Sequence, residues 1–271
     1  MAGADDADSR ADLLARDRAL LIETVREAGL LALAMRRTRL RTWTKGVSSP
    51  VSEADIAVND LIAGRLATLP DYGWLSEESA DDLSRLGRRR VWIVDPIDGT
   101  RGYLAGHDEW CVSVALVEDA SPLLAAVFAP ATDEFFVAAR GQGTTRNGLP
   151  VQATGGDDLD FSKIAGPKPL LEKLDLRPDA VALHPRISSL ALRLCRVAGG
   201  GIDAAFAGGQ SHDWDIAAAD LIVHEANGKM TSLAGEPVLY NRAEVTHGVL
   251  VAAGCPRHAR ILEQVRGRHQ P

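Results

Sequence analysis

The chain contains 271 residues, enough for one large domain or two fused ones, and its 46% hydrophobic and 25% charged residues are ordinary for a globular protein. Its net charge of −7 disfavours nucleic acid as the main ligand, because phosphate backbones select basic surfaces. The charge leaves small phosphate esters open as substrates, since bound metal ions would reverse the local field.

The cysteines, the amino-terminal segment and the apolar runs predict where the protein resides. The three cysteines are widely spaced and form neither a metal-binding pair nor a disulfide framework, which favours a reducing compartment. Residues 1–10 are polar and acidic without a signal-peptide core, and no apolar run approaches membrane-spanning length. We therefore expect a soluble cytoplasmic protein with no membrane partner.

Two helices are predicted after residues 1–9, which we expect to be disordered. From about Arg10 to Leu40, apolar residues recur at the spacing of one long amphipathic helix. A second helix is expected from near Ser52 to about Leu69, and Ser52 and Asp55 have the spacing of a capping box. Asp55 could therefore be a structural carboxylate that the helix dipole favours, or a residue of a functional site.

Two short apolar runs that end in carboxylates predict strands leading into a functional site. Tyr72 to Leu75 predicts a strand that ends just before Glu77 and Glu78. The apolar run from Val91 ends in Asp95-Pro96-Ile97-Asp98-Gly99-Thr100. Two carboxylates fixed three positions apart at the end of a rigid strand repel each other, which suggests a bound cation that offsets them.

The residues after Asp95 predict how this strand ends. Pro96 lacks a backbone donor and biases Asp95 towards an extended conformation, so the strand should stop there. Gly99 permits a tight turn, and Thr100 could cap a following helix. These residue types are also common in turns, so the motif taken alone is compatible with a simple turn.

The remaining elements predict an antiparallel meander followed by an α/β layer. Apolar runs separated by turn residues predict the meander strands Trp110–Val117, Leu123–Phe128 and Glu134–Ala139. Further strands are expected near Ser162–Ala165, Ala180–Leu183, Ile202–Phe206 and Gly248–Ala253. Helices alternate with them near Pro169–Lys173, Ser188–Val197, Asp215–Ala226 and His258–Arg266. We predict two lobes, 1–150 and 151–271, of one compact body.

Three separated motifs resemble the signatures of the inositol monophosphatase family of lithium-sensitive, magnesium-dependent phosphatases. They are Leu75-Ser76-Glu77-Glu78-Ser79, Asp95-Pro96-Ile97-Asp98-Gly99-Thr100 and Trp214-Asp215-Ile216-Ala217-Ala218, with a related upstream element from Pro50 to Asp55. Taken alone, the third motif could simply cap a helix. The resemblance covers roughly residues 40–255. It implies a layered α-β-α-β-α sandwich, hydrolysis of a small phosphate ester, lithium sensitivity and a homodimer.

The resemblance also implies a metal cluster between the two lobes. Two or three Mg²⁺ ions would be held by Glu77, Asp95, the backbone carbonyl of Ile97, Asp98 and Asp215. The residue types agree with this, because hard oxygen ligands suit Mg²⁺ and nothing soft or imidazole-rich favours zinc.

The same family pattern implies roles for residues beside the metal. Glu77 and Thr100, with Asp55 behind Thr100, would position the attacking water and accept its proton. The backbone N–H groups of Gly99 and Thr100 would bind phosphate oxygens. Arg101 could pair with a second phosphate, or it could be an ordinary surface arginine.

Departures from the family pattern leave the substrate open. Gly208 occupies the position where animal inositol phosphatases carry a glutamate that binds inositol hydroxyls, which weakens the case for inositol monophosphate. The run from Asp95 to Tyr103 is also similar to 3′(2′),5′-bisphosphate nucleotidases, which act on 3′-phosphoadenosine 5′-phosphate, and to histidinol-phosphatase relatives. An inositol monophosphate-like metabolite remains our first expectation, with these two as alternatives.

Two rival classes make different predictions. Haloacid-dehalogenase phosphatases carry Asp-x-Asp-Gly-Thr and form a phospho-aspartate, whereas the spacing here is Asp-x-x-Asp. Some relatives of the inositol monophosphatase family act as partner proteins for RNA and the transcription machinery, so a binding role is the non-enzymatic alternative. Because every expected ligand is present, the sequence favours an enzyme.

Overall fold

The structure is a computed structural model that describes residues 2–45, 49–67, 71–159, 162–173, 182–183 and 187–267. The long helix α1 (Ala2–Met35) opens the chain. The prediction of disorder over residues 1–9 is wrong for residues 2–9, where alanines and early acidic residues favour helix. The helix also ends at Met35 rather than near Leu40.

Helix α2 (Glu53–Leu66) begins as the capping box predicted. The Ser52 hydroxyl accepts a hydrogen bond from the Ala54 N–H at 3.2 Å, and the Asp55 carboxylate accepts one from the Ser52 N–H at 2.8 Å. The predicted end near Leu69 lies outside the described residues. An antiparallel hairpin that the sequence did not predict, β1 (Thr42–Lys45) and β2 (Ser49–Ser52), precedes the helix.

The first sheet contains seven strands in chain order, and its meander confirms the prediction. Its strands are β3 (Tyr72–Ser76), β4 (Arg90–Asp98), β5 (Cys111–Glu118), β6 (Ser121–Ala129), β7 (Glu134–Ala139), β8 (Thr144–Arg146) and β9 (Leu149–Pro150). Strands β3 and β4 are parallel, and the other neighbours are antiparallel. The short helix α3 (Thr100–Leu104) connects β4 to β5.

The second sheet contains five strands in the order β11-β10-β12-β16-β14. They are β10 (Lys163–Ala165), β11 (Ala182–Leu183), β12 (Ala204–Ala207), β14 (Gly228–Ser232) and β16 (Leu250–Gly254). Its helices are α4 (Lys168–Lys173), α5 (Leu190–Ala198), α6 (Asp213–Glu225) and α7 (Cys255–Gly267). A small pair, β13 (Ser211–His212) and β15 (Thr246–His247), flanks the start of α6. The sequence predicted neither β14 nor this pair.

Three hydrophobic clusters arrange these elements as an α-β-α-β-α sandwich, which confirms the predicted fold. Helices α1 and α2 cover one face of the first sheet, and α5 and α6 lie between the two sheets. Helix α7 packs on the far face of the second sheet. Strand β4 is buried along both faces, since Trp92 and Val94 face α2 while Val91 and Ile93 face the central layer.

Helix α6 joins the two sheets, because it contacts strands β5 and β6 on one side and β14 on the other. The division into lobes at residue 150 stays a prediction. Within the described part of the chain, no helix is both long and apolar enough to cross a bilayer.

Candidate active site

Glu77 and Asp95 come together because they follow neighbouring parallel strands. Strands β3 and β4 pair in parallel, with Ser76 opposite Val94, so the residues that follow them, Glu77 and Asp95, lie at the same edge of the sheet. The Glu77 N–H donates to the Val94 carbonyl at 3.2 Å, which extends the pairing by one residue. Both side chains line one cavity.

A bulge in β4 turns Asp98 towards the same side as Asp95. Asp95 lies opposite Ser113 and Asp98 lies opposite Cys111, so three steps along β4 match two steps along β5. In a regular strand, residues three apart face opposite sides of the sheet, and one extra residue removes this alternation. The prediction that Pro96 stops the strand is wrong: Pro96 lies within the bulge, where a missing N–H is tolerated.

Asp215 reaches the same point from the other half of the chain. It is the third residue of α6, and its carboxylate accepts the His212 N–H at 2.6 Å in a capping box. Carboxylate oxygens of Asp95, Asp98 and Asp215 all lie within 4.8 Å of one another. The fold therefore brings carboxylates from two distant sequence motifs to one point.

Helix α5 holds Asp98 in place. One Asp98 carboxylate oxygen accepts the Ser189 hydroxyl and the Ala191 N–H, each at 2.6 Å. Gly99 permits this approach, because its φ is +92° and an added Cβ would lie 3.0 Å from the Ser189 nitrogen. Ser189 was not among the predicted site residues, because the helix was predicted to begin at Ser188. In the structure Ser189 is the N-cap of α5, a position that serine favours.

Burial and mutual repulsion raise the pKa values of these carboxyl groups. Burial first, and then the charges of Glu78 and Asp215, raise the pKa of Glu77 to about 8. Burial and then the Asp215 charge raise the pKa of Asp98 to about 7. Burial also raises the pKa of Asp95 well above its ordinary value, and the neighbouring carboxylates add to the shift. A cation would offset this concentration of negative charge.

The donors present fit a hard divalent cation such as Mg²⁺. The close group consists of carboxylate oxygens, and Ile97 lines the same cavity. Asp95 Oδ1 is buried and has no hydrogen-bond partner among the described residues. A buried acceptor without a partner costs free energy, and a bound cation would satisfy it.

Thr100 is the first residue of α3, so the prediction that it caps this helix is wrong. Gly99 occupies the cap position, and its positive φ suits glycine. The Thr100 hydroxyl lies 2.9 Å from the Ile97 carbonyl, to which it donates, and 3.3 Å from Asp55 Oδ1. Asp55 therefore touches Thr100 while it also closes the α2 capping box. Burial raises its pKa.

A cavity of about 530 Å³ opens over the acidic cluster. Among its lining residues are all the predicted metal and substrate positions, namely Glu77, Asp95, Ile97, Asp98, Gly99, Thr100, Arg101 and Asp215. Four other lining residues were not predicted from the sequence: Pro50, Ser188, Gly209 and Gln210. Gly209 and Gln210 belong to the loop between β12 and β13, which carries no motif. Lys45, at the end of β1, donates to the Glu77 carbonyl.

Comparison with known proteins decides the family. The model described as "Inositol monophosphatase family" matches residues 14–270. The chain belongs to the inositol monophosphatase family. The Nus factor SuhB of Xylella fastidiosa is 30% identical over 266 residues, covering 91% of this chain and 92% of that protein. The histidinol-phosphatase of Mycobacterium tuberculosis is 36% identical over 208 residues, covering 72% and 79%.

A solved structure agrees with this membership. The crystal structure of the extragenic suppressor protein suhB from Bartonella henselae matches with a TM-score of 0.81 at 25% identity, over 92% of this chain and 97% of that one. Membership of the inositol monophosphatase family makes the chain a phosphomonoester hydrolase and excludes the haloacid-dehalogenase alternative. Family membership alone does not identify the substrate, because the similar proteins include inositol monophosphatases, a histidinol-phosphatase and a Nus factor.

Proposed function

We propose that this member of the inositol monophosphatase family is a Mg²⁺-dependent phosphatase that hydrolyses one small phosphorylated metabolite by direct attack of water. The observation that carries the proposal is the group of three carboxylates within 4.8 Å at the floor of the cavity, with an unpartnered acceptor on Asp95. Such a group is stable at neutral pH when a cation shares its charge.

Five groups of the chain would hold two or three Mg²⁺ ions: the side chains of Glu77, Asp95, Asp98 and Asp215, and the backbone carbonyl of Ile97. When bound, Mg²⁺ neutralises phosphate oxygens and lowers the pKa of a nearby water. The Ser189 and Ala191 donors fix one Asp98 oxygen, which leaves the carboxylate in a single orientation. A carboxylate whose orientation is already fixed loses less conformational freedom when the metal ion binds.

The residues beside the cluster would prepare the water for attack. The Thr100 hydroxyl lies within reach of the Ile97 carbonyl and of Asp55, so both neighbours limit its orientation. Thr100 and Glu77 would orient the water, and Glu77 would accept its proton. Positioning and charge neutralisation supply most of the acceleration in phosphoryl transfer, so a covalent intermediate is not required.

The phosphate would lie against Gly99 and Thr100, whose N–H groups begin α3. This helix has five residues, so direct hydrogen bonds from these N–H groups would matter more than the helix dipole. Arg101 lines the same cavity, where it would contact a second phosphate of a bisphosphate substrate. Gly208 replaces the glutamate that would bind inositol hydroxyls, so the substrate panel must extend beyond inositol phosphates.

The family membership also supports three finer proposals for this chain: inhibition by lithium, a homodimeric assembly and a cytoplasmic location. The relative named Nus factor SuhB supports testing a binding role beside catalysis. The relative named histidinol-phosphatase, at 36% identity, supports histidinol phosphate as a second candidate substrate.

The test is phosphate release with Mg²⁺, with and without lithium, from four compounds. They are inositol 1-phosphate, histidinol phosphate, 3′-phosphoadenosine 5′-phosphate and fructose 1,6-bisphosphate. We expect one compound to be turned over much faster than the others, with loss of release in EDTA and in millimolar lithium. Release that persists unchanged in EDTA would refute metal dependence. Absence of release from all four, in protein that binds Mg²⁺, would favour the binding role.

A further inference from the structure

Arg85 is an arginine whose burial the proposed chemistry does not explain. It lies in the 3₁₀ turn Ser84–Gly87, and its side chain is 1% exposed. Two of its nitrogens donate to the Asp81 carboxylate, at distances between 2.7 and 3.1 Å. A buried arginine with this many paired donors defines one geometry, because the guanidinium is planar and its donors are fixed in a fork.

The remaining donors of Arg85 contact a loop that lies 156 residues further along the chain. Nη1 donates to Asn241 Oδ1 at 2.7 Å, and Nη2 donates to the Arg242 carbonyl at 3.0 Å. Asn241 has a φ of +54°, a left-handed conformation that asparagine tolerates better than most residues. The loop is therefore held in an unusual backbone conformation at the point where Arg85 contacts it.

Asn241 passes the contact on to the first residue of α6. Its N–H donates to Asp213 Oδ2 at 2.9 Å, while His247 Nε2 lies 2.7 Å from Asp213 Oδ1. The Asp213 N–H donates to the Val245 carbonyl at 2.9 Å. Asp213 is 1% exposed, so partners on several sides hold this end of the helix.

The two ends of this chain of contacts lie beside ligands of the candidate metal site. Asp81 follows Glu77 by four residues in the loop after β3, and Asp213 precedes Asp215 by two residues in α6. Glu77 follows strand β3 of the first sheet, whereas Asp215 lies in helix α6 between the two sheets. A fixed connection between these two elements would therefore set the distance between the two carboxylates.

We propose that Asp81, Arg85, Asn241 and Asp213 form a positioning chain that sets the distance between Glu77 and Asp215 and thereby tunes metal affinity. The proposal rests on the proposed function, because it assigns both carboxylates to the metal site. None of the four residues lines the cavity. They would act on the metal only through Glu77 and Asp215. In other metal sites, residues that do not touch the metal affect its affinity in the same way, by orienting the side chains that bind it.

Two variants and one matched control test the proposal. Arg85→Lys removes the forked donors, and Asn241→Gly removes the acceptor while glycine keeps the left-handed backbone. Arg257→Lys is the control, because Arg257 is also buried, at 6% exposure, and donates to Ser162 and Thr154 far along the chain from the ligands. Mn²⁺ binding to each full-length protein is measured by electron paramagnetic resonance, well below its melting temperature.

We expect the Mn²⁺ dissociation constant to rise about tenfold in Arg85→Lys and in Asn241→Gly, the low end of the range for residues that orient ligands. Arg257→Lys should bind Mn²⁺ as wild type does, even if it loses comparable thermal stability. Because each single variant already removes the hydrogen bond between Arg85 and Asn241, the loss of affinity in the double variant should be smaller than the product of the two single losses. Should Arg85→Lys fail to fold, Asn241→Gly decides.

Wild-type affinity in a folded Asn241→Gly protein would overturn the proposal. Equal weakening in Arg257→Lys would also overturn it, since general loosening would then explain the effect, and so would multiplied losses in the double variant. Asp98→Asn separates this outcome from failure of the proposed function. If Asp98→Asn binds Mn²⁺ normally, the site itself is wrongly assigned, whereas lost binding in Asp98→Asn with normal binding in Asn241→Gly refutes the positioning chain alone.

Discussion

Asp98 is the residue where contacts from both halves of the chain converge. It ends β4, receives two hydrogen bonds from the start of α5, and lies next to Asp95 and Asp215. The start of α5 therefore fixes one oxygen of the Asp98 carboxylate, and the negative charge of this carboxylate lies within the acidic cluster. Asparagine keeps the shape and an acceptor for α5 but removes the charge.

We expect Asp98→Asn to lower kcat/KM by more than about 100-fold, at least the loss caused by removing a residue that merely orients a metal ligand. The melting temperature in EDTA should stay the same or rise, because one repelling buried charge is removed. Asp203→Asn is the matched control, since Asp203 also accepts a backbone N–H at 2.7 Å but lies outside the cavity. Near-wild-type turnover in Asp98→Asn would contradict the assignment.

Gly99 illustrates how backbone conformation controls the same site. We expect Gly99→Ala to destabilise the protein by about 1–3 kcal/mol, because the residue has positive φ and the new Cβ would press on the Ser189 nitrogen. Gly64→Ala, in the last turn of α2 with no atom near the new Cβ, should be stabilising by up to about 1 kcal/mol. Urea unfolding of both variants measures the difference. Equal effects would remove the steric argument.

At the scale of elements, the start of α2 serves both the helix and the site. Ser52 and Asp55 close the capping box, and Asp55 also contacts the Thr100 hydroxyl. The structural and functional interpretations of Asp55 therefore coexist in one side chain. They can be separated, because among the described residues Asp55 forms a hydrogen bond with the Thr100 hydroxyl, whereas the hydrogen bonds of the Ser52 side chain go to Asp55 and Ala54.

We expect Ser52→Ala to cost about 1 kcal/mol of stability and to leave kcat within about twofold of wild type, as for loss of an N-cap. Asp55→Asn should lose much more activity for a similar loss of stability, because it removes the acceptor charge behind Thr100. The measurement is kcat together with urea unfolding for both variants. If kcat falls in parallel with stability in both, Asp55 has a structural role alone.

At the scale of the whole molecule, the first sheet and helix α6 bring four acidic side chains into one site, at a cost in stability that depends on pH. The pKa values of Glu77 and Asp98 are about 8 and about 7, above their unfolded values. The folded, metal-free protein then binds more protons than the unfolded chain between about pH 4.5 and 8. Its stability must therefore fall as the pH rises through this range.

We expect the melting temperature in EDTA to decrease from pH 5.5 to pH 8, and added Mg²⁺ to raise it by an amount that increases with pH. The reason is that Mg²⁺ binds the deprotonated carboxylates and competes with protons. Thermal unfolding at several pH values, with EDTA or Mg²⁺, measures this. Asp98→Asn should show a smaller pH dependence. A Mg²⁺ effect independent of pH would contradict the coupling between the carboxylates and the metal.

Local sequence determined the elements and the identity of the candidate site residues. The capping residues of α2, the apolar run of β4 and the alternating strands of the meander each depend on neighbours in the chain, so their patterns predict them. The three acidic motifs were recognisable for the same reason, since each lies next to a strand or helix end. These motifs also indicated the family.

Tertiary structure alone decided how those residues meet. The bulge that turns Asp98 towards Asp95 depends on pairing with β5, and Pro96 by itself predicted the wrong strand end. Ser189, Gln210 and the chain from Arg85 to Asp213 join segments that lie far apart in sequence, so no local pattern contains them. Short-range conformational preferences act within a few residues, whereas the geometry of this site results from packing two sheets around shared helices.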